Sequence, residues 1–205
     1  MFDYKKVVPL ADLARPTELE KIQGQPSISS HSGIILSSIE NNFLPSLIFW
    51  GPPGTGKTTA ARCIAKHLQM DFEERSAVSC GVKDLRELLQ NRHQPFILFL
   101  DEIHRFNKAQ QDFLLPIIES GRIKLIGATT ENPSFSLNSA LLSRCQLVIF
   151  EVLDEKNIKQ ILYSVLDFAK KNHWIQPLRE LNDAILSSIA KLSFGDARKA
   201  INTLE

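Results

Sequence analysis

The 205-residue sequence has no surplus of either charge, with 24 lysines and arginines against 23 aspartates and glutamates. A chain whose main task is coating DNA carries a basic excess, so any nucleic-acid contact must come from a local patch or several assembled copies. Cysteine is scarce. Cys63, Cys80 and Cys145 lie far apart without metal-ligand or redox spacing, as expected of reduced thiols in a cytosolic protein. No apolar run approaches the roughly 18 residues of a membrane span. No apolar stretch follows a basic start as in a secretory signal. Repeats and low-complexity segments are also missing. The expectation is a cytoplasmic protein with no membrane partner. What is present is ordinary: 43% apolar and 23% charged residues, enough for one sizeable core and a small appended module.

Short apolar runs alternate with helical patterns. Segments 47–50, 72–76, 96–100, 124–128 and 147–150 read as strands, and 96–100 (FILFL) is apolar throughout, as in a central strand covered on both faces. Between them, Ala60, Ala61, Ile64, Ala65 and Leu68 recur at helical spacing. So do Phe113, Leu114, Ile117 and Ile118, around a Pro116 expected to bend that helix. Strands alternating with helices imply a parallel sheet with crossover helices, an α/β class. After Phe150 the segments 157–171, 182–192 and 195–205 read as helices. The expected organisation is an α/β nucleotide-binding core with an N-terminal linker over 1–152, and over 153–205 a helical lid. The last helix meets the chain end without a glycine or proline stop, which reads as an incomplete lid.

Gly51-Pro52-Pro53-Gly54-Thr55-Gly56-Lys57-Thr58 fits the phosphate-binding pattern GxxxxGK[ST], after an expected strand and before an expected helix. Glycines let backbone N–H groups surround phosphate oxygens, and the helix N-terminus adds partial positive charge. Lys57 would reach the β- and γ-phosphates and Thr58 would offer its hydroxyl to Mg²⁺, with Thr59 beside it. Asp101-Glu102 closes the apolar strand at the carboxyl end, where open α/β sheets bind ligands. There Asp101 would hold Mg²⁺ and Glu102 would orient or deprotonate water, although such a pair can also merely cap a helix. Thr129-Thr130 ends another strand. Thr130, just outside it, is placed to meet the γ-phosphate, the alternative being an ordinary strand end.

Two arginines complete the series. Arg144 follows a short helix and could serve a neighbouring subunit's nucleotide in trans, or simply be a surface arginine at a helix end. Arg198 opens the last helix and could fold back on the γ-phosphate or remain a solvated charge. His104 follows the Asp101-Glu102 pair closely enough to sense it, with helix-surface packing the favoured reading, and Lys170, Lys171 and His173 read as a solvated basic end.

Taken together, these residues resemble the clamp-loader clade of AAA+ proteins, more narrowly the RarA/MgsA family, bacterial relatives of the Werner-helicase-interacting ATPase. The resemblance rests on 49–59 (FWGPPGTGKTT), 76–83 (SAVSCGVK), 101–108 (DEIHRFNK), 127–135 (GATTENPSF), 137–144 (LNSALLSR) and 195–202 (GDARKAIN), spanning roughly residues 9–205. It implies a replication-associated ATPase using Mg²⁺-ATP and acting at stalled forks or gapped DNA. Implied partners are single-stranded or forked DNA, single-strand-binding protein or other fork proteins, and further copies of itself, in a cytoplasmic, nucleoid-associated setting. It also implies Lys57 and Thr58 for phosphate and metal, Asp101 and Glu102 for metal and water, Thr130 and Arg198 as sensors, and Arg144 as the finger. The chain departs from the family in three ways. Leu13 stands where an arginine is usual, the helix between 82 and 96 is short, and members continue into an oligomerisation domain.

Three readings compete at this point. A hydrolysing fork ATPase uses Glu102 and Arg144, which a pure binder does not need. An ATP-gated assembly module with little turnover is the second. A small-molecule kinase fits poorly with an arginine-bearing helical lid.

Overall fold

The computed structural model describes residues 8–29, 34–40, 43–172 and 181–205. His173 lies outside them. Helices α1 (Leu10–Leu13), α2 (Pro26–Ser29) and α3 (Ile34–Glu40) lead into the sheet. There follow β1 (Ser46–Trp50), α4 (Lys57–His67), β2 (Phe72–Ser76), α5 (Val82–Gln90), β3 (Phe96–Asp101), α6 (Lys108–Glu119) and β4 (Ile123–Thr129). Two single-turn helices, α7 (Pro133–Ser136) and α8 (Ser139–Leu142), precede β5 (Cys145–Ile149). Then come α9 (Glu155–Lys171), α10 (Asp183–Ser193) and α11 (Ala197–Leu204).

The five strands run parallel in the order β2-β3-β4-β1-β5, so the α/β class and the five-stranded sheet read from the sequence hold. Alternate residues of a strand face opposite sides, and here each side has its own core. Leu47, Phe49, Ile97, Phe99 and Ile126 pack under Ala60, Ala61 and Ile64 of α4. Ile48, Phe96, Leu98, Leu100 and Leu125 pack against Leu85 of α5 and Leu114 of α6. This explains why 96–100 is continuously apolar. β3 is paired on both edges and covered on both faces.

The last strand differs from its expected span. It begins at Cys145 and ends at Ile149, and Phe150 lies beyond it. Phe150 stays buried because its ring packs 4.9 Å from Phe49, while its N–H still bonds the Trp50 carbonyl at 2.7 Å. An apolar residue held by its side chain looks like a strand residue in sequence. Helix α6 runs on through Pro116 and starts at a reciprocal cap, where Asn107 and Gln110 each accept the other's backbone N–H.

A third core lies among the C-terminal helices, where Ile158, Leu162, Leu186, Ala190, Ala200 and Ile201 pack together. Leu10, from the other end of the chain, is buried in the same cluster. Gln25, 1% exposed, joins three parts of the molecule. Its side-chain N–H groups donate to the Thr55 and Glu151 carbonyls at 3.3 and 2.9 Å, and its oxygen accepts the Glu151 N–H at 2.9 Å. Among the described residues, no helix is long and apolar enough to cross a membrane.

Candidate nucleotide site

β1 delivers the chain to the loop 51–56, and α4 starts directly behind it. Gly56, at φ 100°, forms the N-cap of α4 in the left-handed region that L side chains rarely adopt. Gly54, at φ 70°, allows the turn before α11 to approach: a Cβ there would run into the Asp196 carboxylate. The Ala197 N–H donates to the Gly54 carbonyl at 3.1 Å, so α11 sits on the loop. Asp196 caps α11 by accepting the Lys199 N–H at 3.0 Å.

The cleft under this contact is a cavity of about 170 Å³. The structure brings Pro53, Gly54, Gly56, Lys57, Thr58 and Thr59 to its wall, with Asp101, Glu102, Thr130 and Arg198. Gly51, Pro52 and Thr55 do not line it. They brace the loop from behind: the Gly51 and Pro52 carbonyls accept from Lys57 Nζ at 2.8 and 2.7 Å, and Thr55 Oγ1 donates to the Pro52 carbonyl at 2.8 Å. Burial lowers the affinity of the Lys57 ammonium for its proton, opposed by the carboxylates of Asp101, Glu102 and Asp196.

Asp101 ends β3 and accepts the Glu102 N–H at 3.0 Å. Glu102, on the cleft wall, takes a left-handed backbone, φ 55° and ψ 39°. At the end of β4 the two threonines separate. Thr129 is 1% exposed, and its hydroxyl accepts the Glu131 N–H at 3.0 Å. Thr130 is exposed on the cleft wall, as its place outside the strand suggests.

His104 is not the surface-packing residue expected from sequence. Its side chain is 3% exposed and reaches Glu102, because the single 3₁₀ turn Ile103–Arg105 folds the ring back under the strand ends. Arg144 lies away from this chain's own cleft. Its Nε donates to Glu119 Oε1 at 2.7 Å and its Nη1 to the Ala140 carbonyl at 2.8 Å. Arg15, to which the sequence assigns no role of its own, lines the cleft and donates to Thr59 Oγ1 at 3.0 Å while pairing with Asp12. An isolated arginine before a proline carries no periodic signal, so only the fold could place it.

Beside the cleft opens a larger cavity of about 670 Å³, lined by Ile22, Leu153, Ile161, Val165 and Phe168 among others. It suits a flat apolar base. A hollow of about 720 Å³ between β2 and α5 is lined by none of the motif residues, and its Arg92 is paired with Asp71 and Glu73. Among the described residues, no group of three histidine, cysteine or acidic side chains could hold a metal. Mg²⁺ is commonly bound through one or two carboxylates plus substrate phosphates and waters. Asp101 and the Thr58 hydroxyl supply hard oxygen donors on one wall.

Comparison with known proteins agrees with this geometry. The family model for "ATPase family associated with various cellular activities (AAA)" matches residues 47–152. Replication-associated recombination protein A of Escherichia coli K12 is 47% identical over 203 residues, covering 96% of this chain and 45% of that protein. ATPase WRNIP1 of Dictyostelium discoideum is 43% identical, covering all of this chain and 24% of the relative. The chain thus spans less than half the length of these curated relatives. The solved RuvB Holliday junction branch migration motor of Thermotoga maritima superposes with a TM-score of 0.75 at 31% identity, over 92% of this chain and 63% of that one. With its parallel sheet and phosphate loop, the chain belongs to the AAA family of ATPases.

Proposed function

We propose that this chain binds Mg²⁺-ATP between the loop 51–56 and α11 and hydrolyses it, in an assembly acting on DNA during replication and recombination. The carrying observation is the convergence of Lys57, Asp101, Glu102, Thr130 and Arg198 on one small cleft at the carboxyl ends of β1, β3 and β4. The backbone N–H groups at the start of α4 and the Lys57 ammonium hold the phosphates. Thr58 and Asp101 would hold Mg²⁺, which would supply positive charge to offset that of the phosphates. Glu102 orients the attacking water and accepts its proton. Thr130 fixes the γ-phosphate from the side of β4, and Arg198 reports its presence to the lid. The apolar cavity beside Phe168 takes the base.

Arg144 supports action in trans, since Glu119 holds it on an exposed face outside its own cleft. The same observation favours a second reading, an ATP-gated module that turns over little until copies associate. Stalled forks or gapped DNA, single-stranded or forked DNA, and single-strand-binding protein are the proposed setting and partners. The names of the relatives support the replication and recombination part of this.

The test is steady-state ATP turnover against protein concentration, with and without Mg²⁺, single-stranded DNA and forked DNA. Turnover that needs Mg²⁺, rises more than linearly with concentration and is stimulated by DNA supports an assembling fork ATPase. Tight ATP binding with flat, negligible turnover supports the gated module. No ATP binding at all refutes both.

A further inference from the structure

Behind the cleft, one imidazole joins two strand ends. His104 Nδ1 lies 2.9 Å from Thr129 Oγ1, and Nε2 lies 3.1 Å from Glu102 Oε2 and 3.6 Å from Glu131 Oε1. The hydrogens can be counted. Thr129 Oγ1 already accepts the Glu131 N–H and has one proton of its own to place. If that proton goes to Nδ1, the neutral ring carries its hydrogen on Nε2. If it goes instead to the Glu131 carbonyl at 3.2 Å, Nδ1 must donate, and Nε2 can donate as well only as imidazolium. The first arrangement aims the Nε2–H of a neutral ring at Glu102. Glu102 meets that N–H from a left-handed backbone.

We propose that His104 is the positioning residue for Glu102, tying its carboxylate to the end of β4. The proposal rests on Glu102 being the residue that orients water. Thr130 faces the cleft and Thr129, its neighbour, faces the imidazole. A phosphate contact that shifts Thr130 therefore moves Thr129 and, through the ring, Glu102. Hydrolysis is linked to correct seating of the γ-phosphate, with His104 touching neither phosphate nor water.

Two measurements on the full chain test this. The first compares nucleotide affinity, melting temperature and ATP turnover in His104→Ala, His104→Gln and Thr129→Val. Positioning predicts that His104→Ala lowers turnover at least about 10-fold while ATP affinity and melting stay near those of the unmodified chain. His104→Gln, whose amide can still donate to Glu102, recovers part of the loss. Thr129→Val, which severs the other end, resembles His104→Ala. In a Glu102→Gln background, His104→Ala adds nothing.

Unchanged turnover in His104→Ala beside a dead Glu102→Gln overturns the proposal while leaving Glu102 in place. So does a loss that follows affinity and melting. Full turnover in Glu102→Gln removes the reading of Glu102, and the proposal with it. The second measurement needs no turnover: ¹⁵N spectra of the five histidine rings, one of which belongs to His104. The His104 nitrogens must shift on Glu102→Gln and again on Thr129→Val. Unmoved resonances overturn the proposal.

Discussion

At the scale of single residues, Lys57 and Glu102 divide the proposed reaction into binding and cleavage. Lys57 is buried against the loop carbonyls with its ammonium on the cleft wall. Truncation to alanine removes a charged hydrogen-bonding group worth about 1.5–3 kcal/mol, so Lys57→Ala should weaken ATP binding by roughly 10- to 100-fold. Fluorescent-nucleotide titration reads this directly, and an unchanged affinity would exclude Lys57 from the phosphate site. Glu102→Gln keeps shape and loses the base. It should bind ATP normally and turn over about 10²- to 10⁴-fold more slowly. Most of this wall was legible in sequence because phosphate chemistry demands particular residues at fixed spacing. Arg15 is not legible there, and His104 only as the less favoured of two readings. Arg15 reaches the cleft from 42–44 positions away along the chain, through Thr59 and its neighbours. His104 becomes functional only through a one-turn helix that turns its ring inward, a change that periodicity does not register.

At the scale of elements, the expected strands agree with the structure at β2, to the residue, and nearly so at β1, β3 and β4, and fail at β5. β3 is closed on every side and its apolar run states as much. β5 is an edge strand with Leu147 and Ile149 exposed, so apolarity misplaced both its ends. The segment before β1 reads in sequence as a linker, yet Gln25 within it bonds the phosphate loop at Thr55 and the chain at Glu151, where β5 gives way to the C-terminal helices. Replacing Gln25 by alanine leaves the buried Thr55 carbonyl and the part-buried Glu151 backbone groups without these partners. Gln25→Ala should cost about 1–3 kcal/mol of stability, seen as a lower urea midpoint. Because the bonds converge on the loop, ATP affinity should fall as well. A variant as stable as the unmodified chain would mean that water replaces the amide without loss.

For the whole molecule, the decisive arrangement is that one copy presents Glu102 in its cleft and Arg144 on another face, held by Glu119. If Arg144 serves a neighbour, two inactive variants should repair one another. Arg144→Ala copies retain Glu102 but deprive their neighbours of the arginine. Glu102→Gln copies lack the base but still offer Arg144. In an equal mixture at concentrations where light scattering shows association, a Glu102-bearing cleft meets an Arg144-bearing neighbour at about a quarter of interfaces, given head-to-tail contacts of one kind. Turnover should therefore rise from the low level of either variant to about that fraction of the unmodified rate. A mixture that associates yet stays as slow as its parts would place Arg144 in a structural or cis role. Its bond to Glu119 would then brace α6 against the turn before β5, with no catalytic charge passing between copies.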